Sequence, residues 1–145
     1  MEVAFYESVD DALLKFAVIV CRYLGNWVFC IHIRRITYEI PGGHREENET
    51  ILETARRELY EEPGATKFSM TPVCVYSCQG ESGALIIGEK SYGGLFYAEI
   101  GEMEPELHSE IERVFLFDEL PAPEVWTYPL IQTKLAEEPR RRLGI

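Results

Sequence analysis

Gly43-His44-Arg45-Glu46-Glu47-Asn48-Glu49 leads into Thr50-Ile51-Leu52-Glu53-Thr54-Ala55-Arg56 and then Arg57-Glu58-Leu59-Tyr60-Glu61-Glu62-Pro63-Gly64-Ala65. The middle of this stretch predicts a helix from Thr50 to about Glu62. Thr50 and Glu53 form a T-x-x-E capping box, in which each side chain satisfies the other residue's backbone N–H. Gly64 stands where a left-handed residue closes a helix. Pro63 disfavours an α conformation at Glu62 and so argues for a stop there.

A helix turns about 100° per residue; with Glu58 at zero, Glu61 falls near about −60° and Glu62 near about +40°. Three carboxylates thus share one stripe. Ile51, Leu52, Ala55 and Leu59 fall between about +20° and +120° on the same wheel, so the acidic stripe overlaps the edge of the packing face. Glu53, Arg56, Arg57 and Tyr60 take the outward side. Like charges at the rim of a packed face repel unless something compensates them. Converging hard oxygen donors suit Mg²⁺ or Mn²⁺, which in turn suit phosphate substrates. Arg57 lies four residues from both Glu53 and Glu61 and can orient carboxylates by pairing. An ordinary acidic helix laced with surface ion pairs carries the same trio, so the glutamates alone leave both readings open.

The full segment resembles the Nudix signature, G-x5-E-x7-R-E-U-x-E-E-x-G-U, where U is aliphatic. Gly43, Glu49, Arg57, Glu58, Leu59, Glu61, Glu62, Gly64 and Ala65 match every defined position. Pro41-Gly42 resembles the family's usual entry into the box, and Pro63 is an unusual residue at an unconstrained position. The resemblance implies a loop–helix–loop that binds a divalent cation, Mg²⁺ or Mn²⁺. It implies Glu58, Glu61 and Glu62 as metal ligands, joined by the backbone carbonyl of Gly42 or Gly43. Arg57 matches the orienting arginine and Glu49 a position that usually supports the loop and sometimes the metal site. The implied reaction is attack of water on a nucleoside diphosphate linked to another group. Family members differ in their general base, which is a box glutamate or a carboxylate from a later loop. Glu110 is the leading candidate for the later carboxylate, with Glu106 and Glu112 near enough in sequence to be rivals.

Around the box the chain alternates strand-like runs with turn signals. Phe16 to Arg22 and Trp27 to Ile33 read as a hairpin around Leu24-Gly25-Asn26. Tyr38 to Ile40 is a short extended piece, and Pro41-Gly42-Gly43 opens a loop. Met70 to Ser77, Ala84 to Ile87 and Leu95 to Ile100 read as three strands, followed by an acidic loop from Gly101 to Ile111. Val114 to Phe117 is a further strand. A terminal helix is expected from Tyr128 or Pro129 toward Glu138, stopping before Pro139. This layout predicts an α/β/α sandwich with a mixed sheet, in a single domain over residues 1–145.

Composition limits the partners. At 46% hydrophobic, the 145 residues can bury one core. The net charge of −11 repels long polyanions, which argues against nucleic-acid polymers but allows a small nucleotide bridged by cations. There is no apolar run long enough to span a membrane and no secretory leader pattern, so a cytoplasmic protein is the default reading. A homodimer is compatible with the sequence. Cys21, Cys30, Cys74 and Cys78 lie in strand-like runs and read as reduced core residues; only Cys74 and Cys78 have a spacing that zinc would need. His44 and His108 could touch a phosphate. Tyr38, Trp126 and Tyr128 could stack on a base or could pack the terminal helix on the sheet.

For the substrate, the chain is similar to small Nudix enzymes of the type that clears oxidised nucleotides. That implies a nucleoside triphosphate cleaved to monophosphate and pyrophosphate. The markers of the ADP-ribose and dinucleoside polyphosphate subgroups are missing, since Glu81 and Ser82 occupy their places. Two other readings stay open: hydrolysis of a nucleotide sugar or another X-linked diphosphate, and a non-catalytic nucleotide sensor. Sensors of this fold usually lose a box glutamate, whereas here all are kept.

Overall fold

β-branched and aromatic runs separated by turn residues form strands, and their alternation sets which helix each face receives. The computed structural model describes residues 1–82, 85–105 and 111–145, the side chains of Ser82 and Glu112 excepted. The strands are Glu2–Tyr6 (β1), Leu14–Tyr23 (β2), Asn26–His32 (β3), Gly42–His44 (β4), Ala65–Ser82 (β5), Leu85–Met103 (β6) and Ile111–Phe117 (β7). The α-helices are Ile51–Glu61 (α1) and Pro129–Leu143 (α2). The sheet runs β1-β5-β6-β2-β3-β7, with β4 paired to β2 off this path. β2 and β6 are parallel, and the other pairs are antiparallel. This is the mixed sheet expected from the sequence.

Successive side chains of a strand point to opposite faces. Ala17, Ile19 and Cys21 of β2 pack with Ala55 and Leu59 of α1. Val18 and Val20 pack on the other face with Ile131, Leu135 and Ala136 of α2. One strand thus feeds two cores, and the result is the α/β/α sandwich. Full burial of each valine, leucine or isoleucine among these stabilises by about 1.5–3 kcal/mol. Among the described residues no helix is long and apolar enough to cross a membrane.

Several elements depart from the expectation. The β2–β3 hairpin closes on Tyr23 and Asn26, with Leu24 and Gly25 both left-handed at φ 54° and 80°. That is the two-residue turn whose twist suits a hairpin. The three runs expected after α1 are two long strands instead. Gly93 does not interrupt β6, because a side chain there would collide with the Tyr76 ring at 2.6 Å; its bareness lets β5 place that tyrosine across it. β6 also continues to Met103, into the segment expected to be a loop. β1 and β4 were both missed. β4 is held by the register Phe16↔His44 and Val18↔Gly42, which sequence-local patterns do not encode. α2 passes through Pro139 and ends at Gly144, which is left-handed at φ 69°. The lost N–H at Pro139 is offset by Arg141 and Arg142, which grip Glu138 at 2.7 and 2.8 Å and place positive charge in the last turn.

Candidate active site

The box forms a loop, helix α1 and a second loop, placed over the middle of the sheet. The capping box is formed as read: Glu53 N–H donates to Thr50 Oγ1 at 3.1 Å, and Thr50 N–H donates to Glu53 Oε1 at 2.9 Å. Gly64 is left-handed at φ 80°. Glu62, however, stays α-helical ahead of Pro63, and its N–H reaches Glu58 O at 2.9 Å. The preference imposed by the proline yields here to that last helical bond.

The buried face of α1 is Thr54, Ala55, Glu58 and Leu59. Leu52, expected on the packing face, is exposed. Thr54 lies at about −40° on the wheel, so the face in contact is rotated toward the acidic stripe. The cause is the close approach of the box loop. A Cβ on Gly43 would stand 2.4 Å from Glu58 Oε1, so only glycine lets the carboxylate lie against the loop backbone.

Arg57 is the centre of the polar network. Its Nε donates to Glu49 Oε2 at 2.7 Å and its Nη2 to the carbonyl of His44 at 2.9 Å. Its Nη1 reaches Glu58 Oε1 at 2.8 Å and Glu61 Oε2 at 3.2 Å. The expected pairing with Glu61 is present. The pairing with Glu53 is not, because the capping box turns that carboxylate back to Thr50. Arg57 therefore does not face outward as the wheel implied. It clamps the loop to the helix.

Glu49 accepts from Arg57, from Thr54 Oγ1 at 2.7 Å and from Glu46 N–H at 3.1 Å. The guanidinium bond, first among these, holds its pKa down to about 2. Glu58 behaves in the opposite way. Burial, and then the charge of Glu62, push its pKa up to about 7, against the pull of Arg57. Glu62 is buried too, and its Oε1 accepts the Gly42 N–H at 2.8 Å. Arg45, an unconstrained box residue, ties the loop to the N-terminal segment through Asp11 O at 2.9 Å and Glu49 O at 2.6 Å.

The donors Glu58, Glu61, Glu62 and the Gly42 and Gly43 carbonyls are all hard oxygens, the chemistry that Mg²⁺ and Mn²⁺ prefer. Glu58 is a buried carboxylate raised by a neighbouring negative charge, which a cation would relieve. The donor set fits such an ion. Among the described residues, no three acidic, histidine or cysteine side chains converge as a ready ion cage. Arg57 draws Glu58 and Glu61 to one side, and Gly42 draws Glu62 to the other.

Glu110, Glu106 and His108 lie outside the described residues, as does the side chain of Glu112. His44 rests its ring 4.7 Å from that of Phe16 and serves the box through its carbonyl. Trp126 is buried, with its Nε1–H on Pro121 O at 2.8 Å and its ring edge-on to Phe29. Tyr38 packs edge-on against Phe115 and Phe117. Both belong to the core on the α2 side. The four cysteines are free.

Two residues missed by sequence reasoning stand next to the box. His32 Nε2 is 3.1 Å from Glu62 Oε2 and 3.9 Å from Glu39 Oε1. The bond to Glu62 raises the His32 pKa, and burial raises that of Glu39. Strand alternation held a signal for His32, since Val28 and Cys30 precede it on the same face.

A family model described as NUDIX domain matches residues 14–133. The chain belongs to the Nudix family. YtkD of Bacillus subtilis (strain 168), provisionally named an 8-oxo-dGTP diphosphatase, is 32% identical over 108 residues. That alignment covers 74% of this chain but 64% of the length of YtkD. The Nudix fold is also seen in the crystal structure of the Bacillus subtilis pyrophosphohydrolase BsRppH, with TM-score 0.77 and 23% identity over 96% of this chain and 90% of that one. A Nudix hydrolase structure from Nitrosomonas europaea matches with TM-score 0.71 and 22% identity, over 88% of this chain and 89% of that one. Neighbours at this level of identity show the shared architecture alone.

Proposed function

We propose that this Nudix protein is a divalent-cation-dependent pyrophosphohydrolase that cleaves a phosphoric anhydride bond in a small nucleotide. The observation that carries the reading is the pair of buried carboxylates Glu58 and Glu62 lying against the backbone of Gly43 and Gly42, with Glu61 held beside Glu58 by Arg57. These side chains and the Gly42 or Gly43 carbonyl are the groups that would hold Mg²⁺ or Mn²⁺. When bound, such a cation supplies Lewis-acid charge that neutralises anhydride oxygens and acidifies water. The chain's own part is positioning. Arg57 and Glu49 lock the loop to α1, and Glu62 fastens the Gly42 amide to the helix end. Glu110 is the proposed acceptor of the proton from water.

The preferred substrate is a nucleoside triphosphate, oxidised guanine nucleotides included, with a monophosphate and pyrophosphate as products. The likeness to YtkD supports that choice. The net charge of −11 supports a small substrate over a nucleic-acid polymer. A hydrolysis screen with Mg²⁺ and with Mn²⁺ tests it, over canonical and oxidised triphosphates, nucleotide sugars and dinucleotides. The expected result is metal-dependent turnover with triphosphates preferred and Glu61→Gln inactive. Full activity of Glu61→Gln would refute the metal-site assignment. Turnover confined to nucleotide sugars would overturn the substrate.

A further inference from the structure

Outside the box, His32 of the sheet meets a proposed metal ligand. β3 ends on it, and pairing with β7 slips register between Ile31 and His32. The extra residue of that slip lies on β7, so β3 keeps its alternation and His32 follows Val28 and Cys30 onto one face. Here the imidazole Nε2 lies between two buried carboxylates, Glu62 at 3.1 Å and Glu39 at 3.9 Å. Glu39 is anchored in turn. Its backbone exchanges two hydrogen bonds with Cys30, both 2.9 Å, and its Oε2 accepts Arg35 Nη1 at 3.4 Å. The two oxygens of Glu62 have separate partners, the Gly42 N–H on Oε1 and His32 on Oε2. A carboxylate gripped at both oxygens has one orientation, and each oxygen keeps a lone pair for a further partner.

We propose that His32 is a positioning residue for the reaction, holding Glu62 in the single orientation that joins the Gly42 loop to the cation, with Glu39 as its brace. The inference rests on the proposed metal-dependent function. Groups that orient a metal-ligating side chain contribute about 10- to 100-fold to metal affinity. His32 acts through Glu62 and need not touch substrate. Its signature is a loss in cation binding rather than in turnover once the cation is saturating.

The test is Mn²⁺ binding to the full chain without substrate, read from the electron paramagnetic resonance of free Mn²⁺. It is paired with the Mn²⁺ dependence of turnover. His32→Ala is expected to weaken Mn²⁺ binding by about 10- to 100-fold and to raise the half-saturating Mn²⁺ by the same factor. Turnover at saturating Mn²⁺ should recover. His32→Gln, which restores an N–H donor at similar reach, should regain most of the affinity, and Glu39→Gln should lose part of it. Unchanged Mn²⁺ affinity in His32→Ala, or equal losses in the Ala and Gln variants, would overturn the proposal. If His32→Ala does not fold, the other two variants decide: His32→Gln near wild type with Glu39→Gln weakened supports it, and any other pattern overturns it. A wild-type chain that binds no Mn²⁺ refutes the proposed function itself, which separates the two failures.

Discussion

Glu49 shows how much one box residue carries without needing to bind anything. Its carboxylate accepts from Arg57, Thr54 and Glu46, and the Arg57 bond holds its pKa near 2 against an ordinary value of 4.5. A carboxylate depressed on folding stabilises the native state above its unfolded pKa, and the benefit fades as pH falls toward the folded value. The window is therefore from about pH 5 down to about pH 2. Solvent screening keeps the contribution at neutral pH well below the ~3 kcal/mol that the whole shift would give. Glu49→Gln should lower the denaturation free energy at pH 7, and the gap from wild type should narrow as the pH approaches 3. A gap that stays constant with pH would show that Glu49 acts by packing and not by its charge. Pattern matching identified Glu49 as a supporting residue. It did not identify Thr54 or His44 O as parts of the same clamp, because those contacts join residues through the fold of the loop.

Helix α1 is the element most readable in the chain, since its signals are local. The Thr50–Glu53 box and Gly64 lie within a few residues of what they satisfy, and each forms as read. Thr50→Ala should cost about 1 kcal/mol in a urea melt, and Thr50→Ser should cost almost nothing. An equal loss in both would point to Thr50 packing instead of capping. The limits of local reasoning appear at Leu52 and Pro139. Leu52 has the right character for the buried stripe, but the glycine contact at Gly43 turns the helix toward Glu58 and leaves Leu52 outside. Pro139 has the character of a stop, but the paired arginines that follow and the burial of Leu135 and Ala136 carry the helix beyond it. In both places a tertiary contact outweighs a local preference.

Across the whole molecule, the box sits where the two faces of the sheet are already packed, so cation binding couples to global stability. A ligand that binds only the folded chain stabilises it by about 2.7 kcal/mol at a hundred times its Kd. For a chain of this length that raises Tm by several degrees, about 2–4 °C per kcal/mol. Mn²⁺ should therefore shift the melting curve of the wild type, and Glu58→Gln should abolish most of the shift. No shift in the wild type would count against a preformed cation site. The strand alternation of β2 and the box as a run of letters were enough to read a mixed α/β/α sandwich and to nominate the acidic donors proposed here, because both depend on spacing along one segment. The tertiary structure alone decided which partner each carboxylate takes. Arg57 claims Glu58 and Glu61, while Gly42 and His32 claim Glu62, since these meetings bring together β3, β4 and α1. The three glutamates that the spacing set on one stripe are separated by partners that only the packed sheet supplies.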